Sequence, residues 1–237
     1  MVITKIKQTI LNNHYARKIK REYTGGNISI ISSNCLGGKL YQTLNMQYQS
    51  PFIGLFVYSP DFIELLSNLD DYLNSELRFT DHSKYRNCDN SGGNFYPIGL
   101  LNDAVELHFL QYKSENIAKN NWYRRLNRID LNNVYIIFTD RDQCTYDSLV
   151  KFNKLPFKKK VCFTSRNYER LDSCVFLPEY KYAQSVGILT DEFYNTCRHF
   201  DWLSWLNGDH DGKQHAKAYP NDPPTHDSAY QGSQSQQ

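Results

Sequence analysis

Residues 27–39 read Asn27-Ile28-Ser29-Ile30-Ile31-Ser32-Ser33-Asn34-Cys35-Leu36-Gly37-Gly38-Lys39, and this stretch decides the fold. Ile28 to Ser32 predicts a short buried β-strand. A polar turn with two glycines follows it, and then a helix. In open α/β proteins, ligands bind in the crevice beyond the carboxyl ends of such strands. The stretch therefore predicts an α/β fold and the position of a binding site.

The turn after this strand carries the first candidate site residues. Gly37 and Gly38 allow backbone to approach a ligand, and free N–H groups at a helix start hold anions, with Ser33 and Asn34 beside them. Cys35 would lie in the positive field of the helix start, which lowers the pKa of a thiol. The alternative is a structural turn with positive-φ glycines and a half-buried cysteine. The sequence matches neither G-x-G-x-x-G nor a P-loop.

Composition restricts the class of protein. The chain has 237 residues and a net charge of +2, so no nucleic-acid partner is expected. Its six cysteines are scattered without a C-x-x-C pair, and the N-terminus has no signal-peptide pattern. The longest apolar run, residues 52–58, is too short to span a bilayer. These features predict a cytoplasmic protein with reduced thiols.

Residues 2–22 predict an amphipathic helix. Val2, Ile3, Ile6 and Ile10 share one face, with Ala16 and Ile19 as further members. Such a helix is compatible with peripheral contact at the inner face of an anionic membrane, or with a docking helix whose charges are solvated. The basic residues of the other face are Lys5, Lys7, Arg17, Lys18, Lys20 and Arg21.

Buried-type strands alternate with capped helices along the rest of the chain. This alternation predicts a three-layer α/β domain with a largely parallel, mixed sheet and a Rossmann-like crevice. An antiparallel hairpin at 96–110, with a tight turn at Asn102-Asp103, supplies the antiparallel part. The predicted strands are 28–32, 53–58, 77–79, 96–101, 105–110, 134–139, 160–164 and 173–177, and the predicted helices after the first are 39–48, 60–73, 115–128, 146–155 and 191–206.

Domain boundaries follow from apolar content. Residues 1–208 are predicted to form a single α/β domain. Residues 80–94 predict a long loop that is either functional or disordered. From residue 209 to 237 the sequence has no Leu, Ile, Val, Phe or Met, so this segment is predicted to be a disordered tail.

Two further groups of polar residues lie near predicted strand ends. His108 alternates with Leu107 and Phe109, so it is either a general base or a hydrogen-bonded interior histidine. Cys35, His108 and an aspartate such as Asp140 would make a thiol nucleophile, its base and an orienting carboxylate.

Asp140-Arg141-Asp142 follows the strand at 134–139. An Asp-x-Asp element in this position is similar to that of nucleotide-sugar glycosyltransferases, where the carboxylates hold Mg²⁺ or Mn²⁺ against a diphosphate. Arg141 would bind the ligand beside them. The alternative for both aspartates is turn formation and helix capping.

Residues 1–206 also resemble a bacterial family with no assigned function. Its members are often labelled exopolysaccharide or capsule biosynthesis proteins from their gene neighbourhood, and their fold is α/β. One departure is Leu36, where an aromatic residue is more usual. The segments that carry the resemblance are 30–38, 47–56, Tyr96-Pro97-Ile98-Gly99, Leu107-His108-Phe109, Trp122-Tyr123-Arg124-Arg125, 138–142 and Leu155-Pro156-Phe157-Lys158.

The site residues and the resemblance together predict a function. The expected protein is a transferase of surface polysaccharide biosynthesis that uses a nucleotide sugar or another phosphorylated, sugar-bearing donor. A non-catalytic binding or assembly protein of the same pathway is the first alternative. A cysteine-dependent acyltransferase or hydrolase is the second.

Overall fold

The structure is a computed structural model that describes residues 2–85 and 96–208. In chain order its strands are β1 (Ser29–Ser32), β2 (Leu77–Thr80), β3 (Ile98–Leu101), β4 (Val105–His108), β5 (Val134–Thr139), β6 (Lys160–Thr164) and β7 (Cys174–Phe176). Its helices are α1 (Val2–Glu22), α2 (Leu36–Leu44), α3 (Ser59–Ser67), α4 (Leu69–Leu73), α5 (Glu115–Leu126), α6 (Tyr146–Lys154), α7 (Phe193–His199) and α8 (Trp202–Asn207). Two single 3₁₀ turns lie at Leu131–Asn133 and Pro178–Tyr180.

A four-stranded parallel sheet lies at the centre, in the order β1-β5-β6-β7. Ile31 pairs with Ile136, and Phe138 pairs with Cys162, so apolar side chains face each other along the register. Every residue of β1 is buried. Continuous apolar runs of this kind are typical of parallel strands that are covered on both faces.

The hairpin at β3 and β4 is present, but it belongs to a second sheet. It pairs with β2 in an antiparallel sheet of order β2-β3-β4 instead of extending the parallel one. Asn102 and Asp103 both have positive φ, 49° and 53°, and the Ala104 N–H donates to the Leu101 carbonyl at 3.1 Å, so the tight turn is present. Leu101 pairs with Val105, which leaves three residues in the hairpin loop.

Two hydrophobic cores cover the faces of the parallel sheet. Ile31, Ile136 and Phe138 pack on one side against α3, α5, α6 and the antiparallel sheet. Ile30 and Ile137 pack on the other side against α1, α2, α7 and α8. The predicted three-layer α/β class is therefore confirmed.

The strand predicted at 53–58 is absent. The segment pairs with other backbone at single positions: Phe56 exchanges two 2.9 Å hydrogen bonds with His108, and the Val57 N–H donates to the Ser33 carbonyl. Gly54 has a φ of 77°, which breaks the extended conformation early in the segment. The segment is buried because it bridges the two sheets, not because it lies inside one of them.

Three predicted helices also differ from the structure. The helix predicted at 60–73 is two helices, α3 and α4, which are separated at Asn68. Helix α2 begins at Leu36 and ends before Asn45, whose left-handed φ of 55° stops it ahead of Ser50-Pro51. The final predicted helix is two helices, because Asp201 accepts a 3.1 Å hydrogen bond from the Ser204 N–H and starts α8 afresh.

Helix α1 is present over the predicted range, and its second half packs on the domain. Ile19 is buried. The Asn12 side chain donates to the Asp191 carbonyl and accepts a hydrogen bond from the Tyr194 N–H, at and just before α7. Ile6 and Ile10, which were predicted on the same apolar face, are 55% and 62% exposed. No helix in the described ranges is long and apolar enough to cross a membrane.

Two sequence predictions lie partly or wholly outside the described residues. The predicted tail at 209–237 is outside them. Of the loop predicted at 80–94, the structure describes residues 80–85, and the rest is outside.

The two glycines of α2 provide a test of helix-on-sheet packing. A Cβ on Gly37 would lie 3.0 Å from the Ser32 Cβ and 3.1 Å from the Ile30 Cγ2, whereas one on Gly38 would meet only the Ile53 Cγ2, at 3.5 Å. We expect Gly37→Ala to lower the free energy of unfolding by about 1–3 kcal/mol through overpacking. Gly38→Ala, the matched control, should be neutral or stabilising by up to about 1 kcal/mol, because Ala favours helix. Urea unfolding measures both, and equal stabilities would contradict this account.

Candidate functional site

A cavity of about 270 Å³ opens at the carboxyl ends of β1 and β5. This is the edge of the sheet where the sequence predicted a binding site. Residues from the ends of both strands line it, together with residues from three loops. The lining residues are Asn34, Cys35, Phe56, Leu110, Arg141, Asp142, Ile188, Leu189 and Thr190.

Asn34 fastens the end of β1 to the end of β5. Its Oδ1 accepts a 3.1 Å hydrogen bond from the Leu36 N–H at the start of α2, and its Nδ2 donates to Thr139 Oγ1 at 3.1 Å. The side chain therefore turns the chain from strand into helix and also fixes the spacing of the two strand ends. Cys35, the next residue, is held at the cavity wall by this arrangement.

Arg141 and Asp142 enter the cavity from a tight turn after β5. Asp142 and Gln143 have positive φ values of 54° and 64°, and the Cys144 N–H closes the turn on the Arg141 carbonyl at 3.1 Å. Ser59 holds the turn from α3, since its hydroxyl donates to the Arg141 carbonyl and its N–H donates to the Asp142 carbonyl. Burial raises the pKa of the Asp142 carboxyl, and the Arg141 charge opposes this rise.

Asp140 does not line the cavity. One carboxylate oxygen accepts hydrogen bonds from the N–H and the hydroxyl of Ser165, both at 2.7 Å, and the other accepts from the Val186 N–H at 2.8 Å. These donors satisfy the carboxylate from within the protein. No cluster of three or more His, Cys, Asp or Glu side chains in the described residues could hold a metal ion. The geometry thus gives no support to the predicted Mg²⁺ or Mn²⁺ site at Asp140 and Asp142.

The loop at 186–190 forms the opposite wall and is anchored by the residues that follow β5. Asp140 binds Val186, and Arg141 Nη1 donates to the Gly187 carbonyl at 3.3 Å. Leu189 is buried, whereas Ile188 is 57% exposed. Each of these two hydrogen bonds joins the cavity wall directly to the end of the central sheet.

Three of the predicted ligand-binding residues lie outside the cavity lining. Gly37 packs against Ile30 and Ser32 of β1, and Gly38 packs against Ile53; neither has the positive φ considered as the structural alternative. Ser33 is buried, and its hydroxyl has no hydrogen-bond partner. Its backbone N–H donates to the Ile137 carbonyl, and its carbonyl accepts from Val57, so it joins β5 to the bridging segment.

The pKa prediction for Cys35 is wrong in direction. Burial raises the pKa of the thiol above its ordinary value, and the nearby Arg141 charge lowers it by less. Gln111 Nε2 lies 3.7 Å from the sulfur. Desolvation therefore outweighs the arginine in setting the pKa of this thiol.

His108 does not line the cavity beside Cys35. His108 is fully buried and is not part of the cavity lining, whereas Phe56 lines the cavity and stacks on the imidazole with ring centroids 4.6 Å apart. The second prediction for His108, an interior histidine, describes its position better.

The family of the chain follows from comparison with known proteins. Residues 3–207 match the model of DUF1919, a domain of unknown function. The chain belongs to the DUF1919 family. A Haemophilus influenzae protein, named only as an uncharacterized protein, is 32% identical to it over 198 residues, which are 81% of this chain and 89% of that protein.

Sequence reasoning missed the apolar half of the cavity in this DUF1919 domain. Phe56 was assigned to a strand, and Leu110 to the end of another. Ile188 and Leu189 lie in a segment for which no element was predicted. The one sequence signal for these lining residues was a short apolar run between polar loops. Such a run does not show whether its side chains face the core or a cavity.

A second polar cluster of the DUF1919 domain surrounds His108. Its Nε2 lies 3.2 Å from Glu106 Oε2, but the contact does not have hydrogen-bond geometry, and Tyr96 Oη lies 3.4 Å from Nδ1. Glu106 also accepts hydrogen bonds from Ser83 Oγ and the Lys84 N–H, at 2.6 and 2.7 Å.

Asp61 completes this cluster from α3. Its carboxylate accepts the Glu106 N–H at 2.7 Å and the Lys84 ammonium at 2.6 Å. Together, Asp61 and Glu106 hold the chain that follows β2 against β4. Burial lowers the pKa of His108 to about 4, with Asp61 raising it and Lys84 lowering it further.

This pKa shift predicts an acid-dependent loss of stability. The folded pKa lies below the unfolded value of about 6.5, so His108 contributes stability above pH 6.5 that is lost as the pH falls towards 4. Between pH 7 and pH 5 the free energy of unfolding should fall by about 2 kcal/mol from this residue. In urea unfolding, the free energy of unfolding of His108→Gln should fall by about 2 kcal/mol less than that of the wild type between pH 7 and pH 5. The control is His82→Gln, an exposed histidine, which should keep the wild-type slope. Parallel slopes for all three proteins would contradict the assignment.

Proposed function

We propose that this DUF1919 domain is a transferase that binds a phosphorylated, sugar-bearing donor in the cavity at the ends of β1 and β5. The observation that carries the proposal is that Arg141 and Asp142 line one cavity side by side. A guanidinium recognises phosphate, and a carboxylate accepts a proton or a sugar hydroxyl hydrogen. Group transfer from a phosphate to a hydroxyl requires both.

Arg141 is the group that would bind the phosphate. Its Nη1 donates to the Gly187 carbonyl, and it forms no salt bridge with a carboxylate in the described part of the chain. An arginine has five N–H donors, so donors remain for an oxyanion. The bond to Gly187 orients the guanidinium before the ligand arrives, which reduces the entropy lost on binding.

Asp142 is the group that would accept the proton. Its partial burial raises the pKa, and a base is more effective when its pKa approaches the working pH. In the proposed step, the acceptor oxygen forms a bond to the sugar carbon while the bond from that carbon to the phosphate oxygen breaks. The phosphate leaves with the bonding electron pair beside Arg141, and the acceptor hydroxyl proton passes to Asp142.

The cavity volume restricts the donor. At about 270 Å³ it lies just below the range of about 300–1,000 Å³ that holds a drug-sized ligand. A sugar phosphate is closer to this size than a complete nucleotide sugar, whose base would extend out of the cavity. The resemblance to proteins labelled for exopolysaccharide or capsule biosynthesis supports a sugar substrate by association alone.

The cysteine-dependent alternative has less geometric support. It requires an activated thiol with a base in reach, but burial raises the pKa of Cys35, and Phe56 rather than His108 lines the cavity with it. A non-catalytic binding protein would use the same cavity without turnover, so the assay below separates that alternative from a transferase.

The test combines calorimetric binding with a transfer assay, using a panel of sugar 1-phosphates and nucleotide sugars. Arg141→Gln should weaken binding about tenfold or more, since a charge-assisted pair contributes about 1.5–3 kcal/mol. Asp142→Asn keeps a residue that tolerates positive φ, and it should bind normally while turnover falls about 10²- to 10⁴-fold. Arg124→Gln, at an exposed arginine of α5, is the matched control.

Three results would contradict the proposal in different ways. If the wild type binds no compound of the panel, the sugar-phosphate site is wrong. If it binds but transfers nothing to any acceptor, the domain is a binding protein. If Asp142→Asn turns over normally, another group is the base.

We also propose that the protein works in the cytoplasm, at the inner face of the membrane, through α1. Ile6 and Ile10 are exposed on this helix, and the first 21 residues contain six Lys and Arg and no Asp or Glu. Exposed apolar side chains and a positive charge are the two signals that reversible membrane binding usually needs.

Vesicle sedimentation tests this second proposal. The protein should bind phosphatidylcholine vesicles that contain an anionic lipid, and should bind less at high salt because salt screens the attraction. The double variant Ile6→Glu, Ile10→Glu should lose binding. The matched double variant Ile117→Glu, Leu131→Glu replaces two other exposed apolar residues and should retain it. Equal binding by both variants, or no binding by the wild type, would contradict a role for α1.

A further inference from the structure

The cavity has a polar end and an aliphatic end. Asn34, Arg141 and Asp142 supply the polar groups, while Leu110, Ile188 and Leu189 are the aliphatic ones. We propose that the sugar phosphate bound here carries an aliphatic chain on its phosphate, so that the donor is a lipid-linked sugar phosphate. The inference rests on the proposed function, because it assigns the phosphate to Arg141.

Exposure of the aliphatic residues supports this assignment. Leu110 is 47% and Ile188 is 57% exposed, although both are large apolar side chains that line the cavity. Exposed apolar side chains that cluster at a cavity mark ligand-binding surfaces. Leu189, next to Ile188, is buried in the second core, so the wall continues from the protein interior to the solvent.

An aliphatic chain fits this end better than a nucleotide base. A base has polar edges that need hydrogen-bond partners, and Thr190 is the one hydroxyl among the side chains of the lining. Phe56, the aromatic residue of the lining, already stacks one face on His108. A hydrocarbon chain requires only apolar contact, which the aliphatic residues provide.

Hydrogen bonds within the protein fix the position of the aliphatic end of the cavity relative to the polar end. Asp140 and Arg141 bind the backbone of Val186 and Gly187, immediately before Ile188. The aliphatic wall is therefore positioned by the residue that would bind the phosphate and by its neighbour. A ligand that spans both ends carries a phosphate and a hydrocarbon, as an alkyl phosphate does.

The experiment is a calorimetric chain-length series with inorganic phosphate, ethyl phosphate, butyl phosphate, octyl phosphate and glucose 1-phosphate, below micelle-forming concentrations. The dissociation constant should fall roughly two- to fourfold per methylene while the chain lies in the cavity. Ile188→Gln should reduce this chain-length dependence, and it should weaken the binding of glucose 1-phosphate less than that of octyl phosphate. Arg141→Gln should weaken every phosphate compound. Ile117→Gln, at an isoleucine of α5 that is 47% exposed, is the matched control and should behave as the wild type.

The outcomes separate this inference from the proposed function. If glucose 1-phosphate binds through Arg141 but octyl phosphate binds no better than ethyl phosphate, the aliphatic inference is wrong and the sugar-phosphate site stands. If chain length matters equally in Ile188→Gln and in the wild type, the chain binds elsewhere and the inference is also wrong. If no phosphate compound binds the wild type, the proposed function fails and the inference fails with it.

Discussion

The rest of the site depends on the backbone hydrogen bonds that Phe56 and Val57 each make to a different sheet. Phe56 bonds to His108 of the antiparallel sheet, and Val57 bonds to Ser33 at the end of β1. This short segment thus joins two sheets that do not pair directly. It places the Phe56 ring between the buried imidazole and the cavity. Without it, the cavity would lack one wall and His108 would lose the ring that stacks on its imidazole.

The three consecutive residues after β5 have different roles, although the Asp-x-Asp pattern predicted one role for both aspartates. Asp140 turns towards Ser165 and Val186 and holds the opposite wall. Arg141 reaches the cavity, and Asp142 follows it at positive φ. The positive φ is accepted because backbone and hydroxyl bonds from α3 fix the turn. An Asp-x-Asp spacing therefore does not by itself place two carboxylates on one ligand, since the backbone conformation between them decides where each one points.

Local patterns predicted the fold well and the site only in part. Strands β1, β5 and β6 were predicted because each is an apolar run between turn signals. Helices α5 and α6 were predicted at nearly their observed bounds, and the hydroxyls of Ser114 and Thr145 cap them. Residues 53–58 have the same composition as a strand, and only tertiary pairing shows that they bridge two sheets. The strand ends located the cavity. Its wall at 186–190 depends on hydrogen bonds to Asp140 and Arg141 from a segment about 46 residues away in sequence, which no local pattern encodes.

The state of Cys35 shows which chemistry this cavity favours. A helix start and an arginine both stabilise a thiolate, and each effect is strongest in a dry site. Burial also removes water from the anion, and this effect is larger than that of the arginine, so the pKa of the thiol rises. Burial raises the pKa of Asp142 in the same way, and the charge of Arg141 opposes the rise. Burial thus raises the pKa of both groups, so it disfavours the Cys35 thiolate and makes the Asp142 carboxylate a stronger base.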